Sequence, residues 1–238
     1  MTTRVLGWLK TSQGLLFTLR RKTVKTIEQV AAIINENIGK WVQEPKKIVV
    51  AVDGYTGSGK TSIANRIAEL NPNYLVVHLD DFIRHWKIRK QMMDATHDRS
   101  RVFEHLWYRY DALERLVKAF LCGRRIIRLK VYDFDENDFS SLRPFDLSKE
   151  VLLIEGVFLL HPQHRINSLW SRSVFLKTKL RKSEARHVNQ EKKKWGKDYL
   201  PEDHPGSYFG SFKEAYRRYL ELCSPEQRAD LVIDIDTD

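Results

Sequence analysis

Apolar residues recur along this chain in two rhythms. Over residues 24–41, Val24, Ile27, Val30, Ala31, Ile34 and Ile38 fall at the three-and-four spacing of one helical face, with Gly39 near its end and Pro45 beyond it. The spacing predicts a helix. Residues 47–53 then run Lys-Ile-Val-Val-Ala-Val-Asp, apolar without alternation, which is the pattern of a strand covered on both faces. A glycine-rich turn follows, and Thr61 to Leu70 returns to helical spacing. Further on, residues 74–79 read as a second buried strand, 111–122 as an amphipathic helix stopped by Gly123, and 126–132 as an extended segment. Val151 to Ile154, Ser173 to Leu176 and Leu231 to Ile235 read as third, fourth and fifth core strands. Strands alternating with helices, each strand apolar along its length, predict an α/β fold: a doubly wound, three-layer parallel sheet.

Length and composition narrow the picture without changing it. A chain of 238 residues with 42% apolar side chains can bury on the order of 70–75% of its unfolded surface around one core, so one domain with an appendage is expected. Residues 1–44 form an N-terminal helical arm in this reading, and residues 45–238 form the domain proper. Cys122 and Cys223 match no zinc-site spacing and make no disulfide framework, which favours a reducing, cytoplasmic setting. The longest apolar runs, Val151 to Ile154 and Val157 to Leu160, are far short of a membrane span. Arg4, Lys10, Arg20 and Arg21 interrupt any signal-peptide core, so no membrane partner is expected.

The formal net charge is +10, and it is unevenly placed. Residues 1–47 and 181–197 hold most of the excess of bases, whereas residues 198–238 are acidic. Such a distribution suits a nucleic-acid partner, a solvated helix face or an anionic small ligand, and nucleic acid is the least favoured of the three.

One motif carries chemistry by itself. Gly54-Tyr55-Thr56-Gly57-Ser58-Gly59-Lys60-Thr61 fits G-x-x-x-x-G-K-[ST] and lies between a predicted strand and a predicted helix. Backbone N–H groups of a loop threaded by Gly54, Gly57, Ser58 and Gly59 can point at phosphate oxygens, reinforced by the helix N-terminus. Lys60 would reach the β- and γ-phosphates of ATP, and the Thr61 hydroxyl would ligate Mg²⁺. Asp80 and Asp81 follow the second strand, at the sheet edge where α/β folds bind ligands. Either could take a proton from an attacking hydroxyl or hold a metal, and the bland alternative is a helix cap. Glu155 ends the third strand, where a magnesium-binding acid would sit; otherwise it is a surface-loop acid. His161 and His164 lie three apart with no Cys, Asp or Glu at ligand spacing, and are expected on a loop or helix face. Trp86, Trp107, Tyr108 and Tyr110 serve equally as a base-stacking wall or as core.

Taken in order, the phosphate loop, Leu79-Asp80-Asp81-Phe82, Val131-Tyr132-Asp133-Phe134, Leu153-Ile154-Glu155-Gly156-Val157 and Arg228-Ala229-Asp230-Leu231-Val232-Ile233-Asp234 resemble the uridine kinase and phosphoribulokinase family over roughly residues 46–236. The resemblance implies a fold of the P-loop nucleoside/nucleotide kinase type with a helical lid at about 181–210. It implies Asp80 as catalytic base and metal neighbour, Glu155 as the magnesium acid, and Tyr132 and Phe134 as substrate-binding aromatics, with Asp81 beside them. Arg186 matches a lid arginine. Asp135-Glu136-Asn137-Asp138 stands where uridine kinases carry a histidine and an arginine. The expected function is ATP- and Mg²⁺-dependent phosphorylation of a hydroxyl on a small molecule, a nucleoside first. A pantothenate-like or sugar-phosphate acceptor and a nucleotide-binding regulator without turnover are the alternatives, and self-association into a homo-oligomer is left open.

Overall fold

The computed structural model describes residues 25–42, 47–204 and 206–235. Residues 1–24 of the expected arm, and Pro45, lie outside them. In chain order the elements are α1 (Ile27–Trp41), β1 (Ile48–Gly54), α2 (Lys60–Leu70), β2 (Tyr74–His78), α3 (Trp86–Asp94) and the short α4 (Arg99–Arg101). A π-helical turn, Val102–Leu106, leads to α5 (Tyr110–Leu121), β3 (Ile126–Asp133), β4 (Asp138–Asp146), β5 (Val151–Gly156) and β6 (Arg172–Lys177). Then come α6 (Leu180–Trp195), α7 (Phe209–Cys223), α8 (Pro225–Arg228) and β7 (Leu231–Asp234).

Five strands pair in parallel in the order β2-β5-β1-β6-β7. They are the five core strands read from the sequence. Every residue of β1 and β5 is buried, as the unbroken apolar runs require. Alternate side chains of β1 serve opposite layers: Ile48, Val50 and Val52 pack with α1 and α2, whereas Val49 and Ala51 pack with the α5 and α7 side. The order reverses direction around β1, so the carboxyl ends of β1, β5 and β2 open one crevice at the switch point.

The helix expected as a separate arm lies within this core. Val30, Ala31, Ile34 and Ile38 are fully or almost fully buried against Ile63, Ile67 and the α2-side residues of the sheet. Thr26 starts it with a reciprocal capping box, its hydroxyl taking the Gln29 N–H and its own N–H reaching the Gln29 side chain. A helix with four buried apolar residues has to cover something, and the α2 face of the sheet supplies it.

The extended segment after α5 is one arm of a two-stranded antiparallel ribbon, β3–β4, outside the main sheet. Its partner β4 has no apolar alternation to announce it. The expected lid begins as α6, which lies across the phosphate loop closely enough that a Cβ at Gly57 would collide with the Ser183 carbonyl oxygen.

Candidate active site

The loop after β1 turns back on itself through Gly57 and Gly59, whose φ values of 69° and 87° are left-handed and suit glycine. Its last residues open α2 at Lys60, so the helix N-terminus faces the crevice. Lys60 Nζ donates to the Tyr55 carbonyl at 2.8 Å and thereby rests across its own loop. Beneath the loop Asp53 is fully buried and accepts from Tyr219 Oη at 2.5 Å and the Leu160 N–H at 3.0 Å. Burial pushes its carboxyl up to about 6 despite those bonds.

Three polar side chains from three elements meet beside the loop. Thr61 Oγ1 donates to Glu155 Oε1 at 2.9 Å, and His78 Nδ1 lies 2.8 Å from the same oxygen. Burial alone would push Glu155 up, but the His78 bond and the Lys60 charge outweigh it and hold the carboxylate below its ordinary range. The bond to Glu155 raises His78 in return, against burial. Asp80 is reached by Tyr108 Oη at 3.1 Å and faces the same cavity, of about 430 Å³, together with Lys60, Thr61 and Glu155. Burial first, then the Glu155 charge, raises its carboxyl. A carboxyl so raised holds a proton better than an exposed aspartate does.

Of the residues expected from sequence, Gly57, Gly59, Lys60, Thr61, Asp80, Phe134 and Glu155 line this cavity. Ser58 is buried in the loop itself, and a Cβ at Gly54 would stand 3.1 Å from Leu176 Cβ. Asp81, Tyr132 and Arg186 are not in its wall. Asp81 turns to the β3–β4 ribbon, where Arg143 grips both carboxylate oxygens. Tyr132 is buried in that ribbon with its hydroxyl on Asn137 Oδ1. The Arg186 guanidinium folds back to Ser183 Oγ at 3.2 Å on its own helix. What α6 offers to the cavity instead is His187, Gln190, Glu191 and Lys194, the last stacked 4.9 Å above the Phe134 ring.

Sequence reasoning missed His78 and Arg143, and took Tyr108 for a base-stacking or core aromatic and not for a partner of Asp80. His78 had a signal, since it ends the strand that delivers Asp80. Tyr108 and Arg143 had none, because only the fold brings them to Asp80 and Asp81. An adjoining cavity of about 490 Å³ shares Thr56, His187, Glu191 and Phe212 with the first and is walled by residues including Arg89, Phe103, Trp107 and Tyr208. Trp107, Tyr108 and Tyr110 therefore divide: Trp107 lines the adjoining cavity and Tyr108 the first, whereas Tyr110 packs against Tyr108 at 5.9 Å.

A glycine loop at a helix N-terminus with a lysine, a hydroxyl and two carboxylates is an arrangement for binding and transferring phosphoryl groups. Residues 49–237 match the phosphoribulokinase / uridine kinase family. The chain belongs to that family. It is a P-loop kinase of small molecules, and membership implies ATP as its phosphoryl donor. Nicotinamide riboside kinase 1 of Homo sapiens is 25% identical over 176 residues, covering 74% of this chain and 78% of that one. The uridine kinase of Streptococcus gordonii is 26% identical over 202 residues, covering 81% and 93%. Among solved structures, a possible uridine kinase from Bacillus stearothermophilus superposes with a TM-score of 0.65 at 21% identity, over 86% of this chain and 97% of its own, a likeness of fold. No helix among the described residues is long and apolar enough to cross a membrane.

Proposed function

We propose that this kinase transfers the γ-phosphoryl group of ATP to a ribose hydroxyl of a nucleoside, with Asp80 as the base. The observation that carries the reading is Asp80 itself: raised by its surroundings, hydrogen-bonded by Tyr108 and facing the cavity that also holds Lys60 and Thr61. The nucleoside kinases among the relatives support the acceptor class.

In this mechanism the N–H groups of residues 57–61 and the α2 N-terminus bind the phosphates, and Lys60 leaves the Tyr55 carbonyl to meet the charge that develops on the transferring group. Asp80 accepts the proton of the acceptor hydroxyl as its oxygen bonds to the γ-phosphorus and the bond to ADP breaks. Thr61, Glu155 and Asp80 present oxygen donors, the chemistry a hard cation prefers, so the residues fit Mg²⁺. Bound there, Mg²⁺ supplies neutralisation of phosphate charge. His78 holds Glu155 ionised and oriented. The free thiols of Cys122 and Cys223 suit a reducing, cytoplasmic setting.

A second acceptor class is favoured by Arg89. Its guanidinium lies 4.6 Å from the Trp107 ring and 5.8 Å from the Tyr132 ring, and its Nε is buried without a hydrogen-bond partner among the described residues. A carboxylate or phosphate on the acceptor would satisfy it.

Acceptor-dependent ADP release decides between them. With ATP and Mg²⁺, ribonucleosides are expected to stimulate release, nicotinamide riboside and uridine among them. Stimulation only by sugar acids, sugar phosphates or pantothenate would transfer the assignment to the second class, and release with none of them would defeat both.

A further inference from the structure

On the α5–α7 side of the sheet, three imidazoles converge from two distant segments. His105 comes from the π-helical turn Val102–Leu106, a rare widening of the helix, and His161 and His164 from the loop that leaves β5. One ring nitrogen from each lies within 4.8 Å of one from each of the others. Neither phosphate binding nor the base uses any of them.

The hydrogen bonds around this cluster leave nitrogen lone pairs over. Glu104 is ion-paired to Arg218, with 2.8 Å from Arg218 Nε to Oε2, so it is a carboxylate and can only accept. His161 Nε2, 3.0 Å from Glu104 Oε1, therefore carries the proton. That fixes the tautomer: the lone pair is on Nδ1, held among the described residues by the Gln163 N–H at 3.2 Å. A carboxylate holding one ring nitrogen so that the other faces a metal is the usual support of a metal-bound histidine. His164 is 8% exposed, and among the described residues neither of its nitrogens makes a hydrogen bond of good geometry, with the Glu104 and Phe158 backbone its nearest polar neighbours, so its desolvation is poorly compensated. His105 is the most exposed of the three and gives an ion its way in.

We propose that His105, His161 and His164 form a binding site for a divalent ion of the zinc class, with Glu104 and Arg218 orienting His161 from behind. Three neutral imidazoles without a thiolate select zinc, cobalt, nickel or copper and are poor ligands for the Mg²⁺ of phosphoryl transfer. Zinc–nitrogen bonds of about 2.0–2.1 Å require the rings to draw together, and three protein ligands leave a fourth position for solvent. The ion would clamp the loop after β5 to the π-helical turn. That loop carries Leu160, whose N–H binds Asp53 beneath the phosphate loop, and His161 stacks at 5.8 Å on Tyr219, which binds the same Asp53 oxygen. Binding should thus stiffen the base of the phosphate loop.

The test is metal content and melting temperature of the full chain, stripped with chelator and then dialysed against Zn²⁺. Thr61→Ala removes a ligand from the phosphate-loop cation site, so zinc held there is discounted. The expected result is one zinc ion retained per chain by wild type and Thr61→Ala, each with a raised Tm, and neither retention nor a Tm rise in His164→Gln. His105→Gln, at a partly exposed position, should fold and lose the ion as well, while Glu104→Gln should bind ~10–100-fold more weakly. Cobalt(II) should give the visible ligand-field absorption of a four-coordinate nitrogen site in Thr61→Ala. No retention by wild type, retention undiminished in both histidine variants, or featureless cobalt spectra would each overturn the proposal.

Discussion

Two histidine–carboxylate pairs stand on the sheet's ligand-binding side and are put to different uses. In the first, His78 and Thr61 both bond Oε1 of Glu155, and Oε2 accepts no hydrogen bond from the described residues. In the second, His161 takes one oxygen of Glu104 and Arg218 takes the other. Glu155 therefore keeps an oxygen for a ligand in a cavity that also holds Lys60 and Asp80, whereas Glu104 has none to spare and the free valences belong to the imidazoles. The residue types are the same. What the second carboxylate oxygen faces decides whether a pair offers oxygen or nitrogen, and hence whether it suits a phosphate-bound hard cation or a zinc-class ion.

The largest effect that would break this contrast belongs to the base. Asp80→Asn is expected to lower kcat by ~10²–10⁴ while ATP affinity stays within a few-fold, because only the proton acceptor is lost. Asp81→Asn should cost much less turnover, since its carboxylate is held by Arg143 on the β3–β4 ribbon. Steady-state kinetics with calorimetric ATP binding checks both; a larger loss from Asp81→Asn would move the base by one residue. Next, Lys60→Ala should lower kcat by at least ~10² in a protein of unchanged Tm. Unchanged turnover would remove the phosphate loop from the reaction.

A third variant separates stability from chemistry. Ile34→Ala opens a hole between α1 and the sheet, and is expected to cost about 2–5 kcal/mol in denaturant unfolding with kcat intact. A loss under ~0.5 kcal/mol would mean that α1 is an appendage after all.

The smallest effect is the most specific to the pair at Glu155. His78 has a raised pKa in the fold, so its bond to Glu155 contributes stability that is full below the ordinary value of 6.5 and is lost as pH rises through the raised one. Glu155 is lowered, so its share is present above 4.5 and fades as pH falls through the lowered value. The Tm deficit of His78→Gln should therefore be greatest between pH 4.5 and 6.5 and shrink in alkaline buffer. A deficit flat with pH would show that His78 packs there as a neutral ring.

Much of this was readable from the chain because it is local. Buried parallel strands announce themselves as apolar runs, and the phosphate loop with Asp80 and Glu155 sits at strand ends whose position the runs define. Elsewhere the decisive partner is remote. Arg143 takes Asp81 out of the site across 62 residues, and nothing near either residue foretells it. β4 carries Asp138, Arg143, Pro144 and Asp146, a composition that reads as loop and becomes strand only by pairing with β3. α1 looked like an arm because a helical stripe records that a face is buried and not what covers it. His161 and His164 looked bland for want of a third ligand, and the fold brings His105 to them.

Acceptor phosphorylation itself tests the central claim most directly. Wild-type protein, ATP, Mg²⁺ and the nucleoside that best stimulates ADP release should yield, by mass spectrometry, that nucleoside carrying one added phosphoryl group, in step with ADP and abolished or nearly so in Asp80→Asn. ADP accompanied by inorganic phosphate and no phosphorylated acceptor, or equal product from wild type and Asp80→Asn, would contradict it.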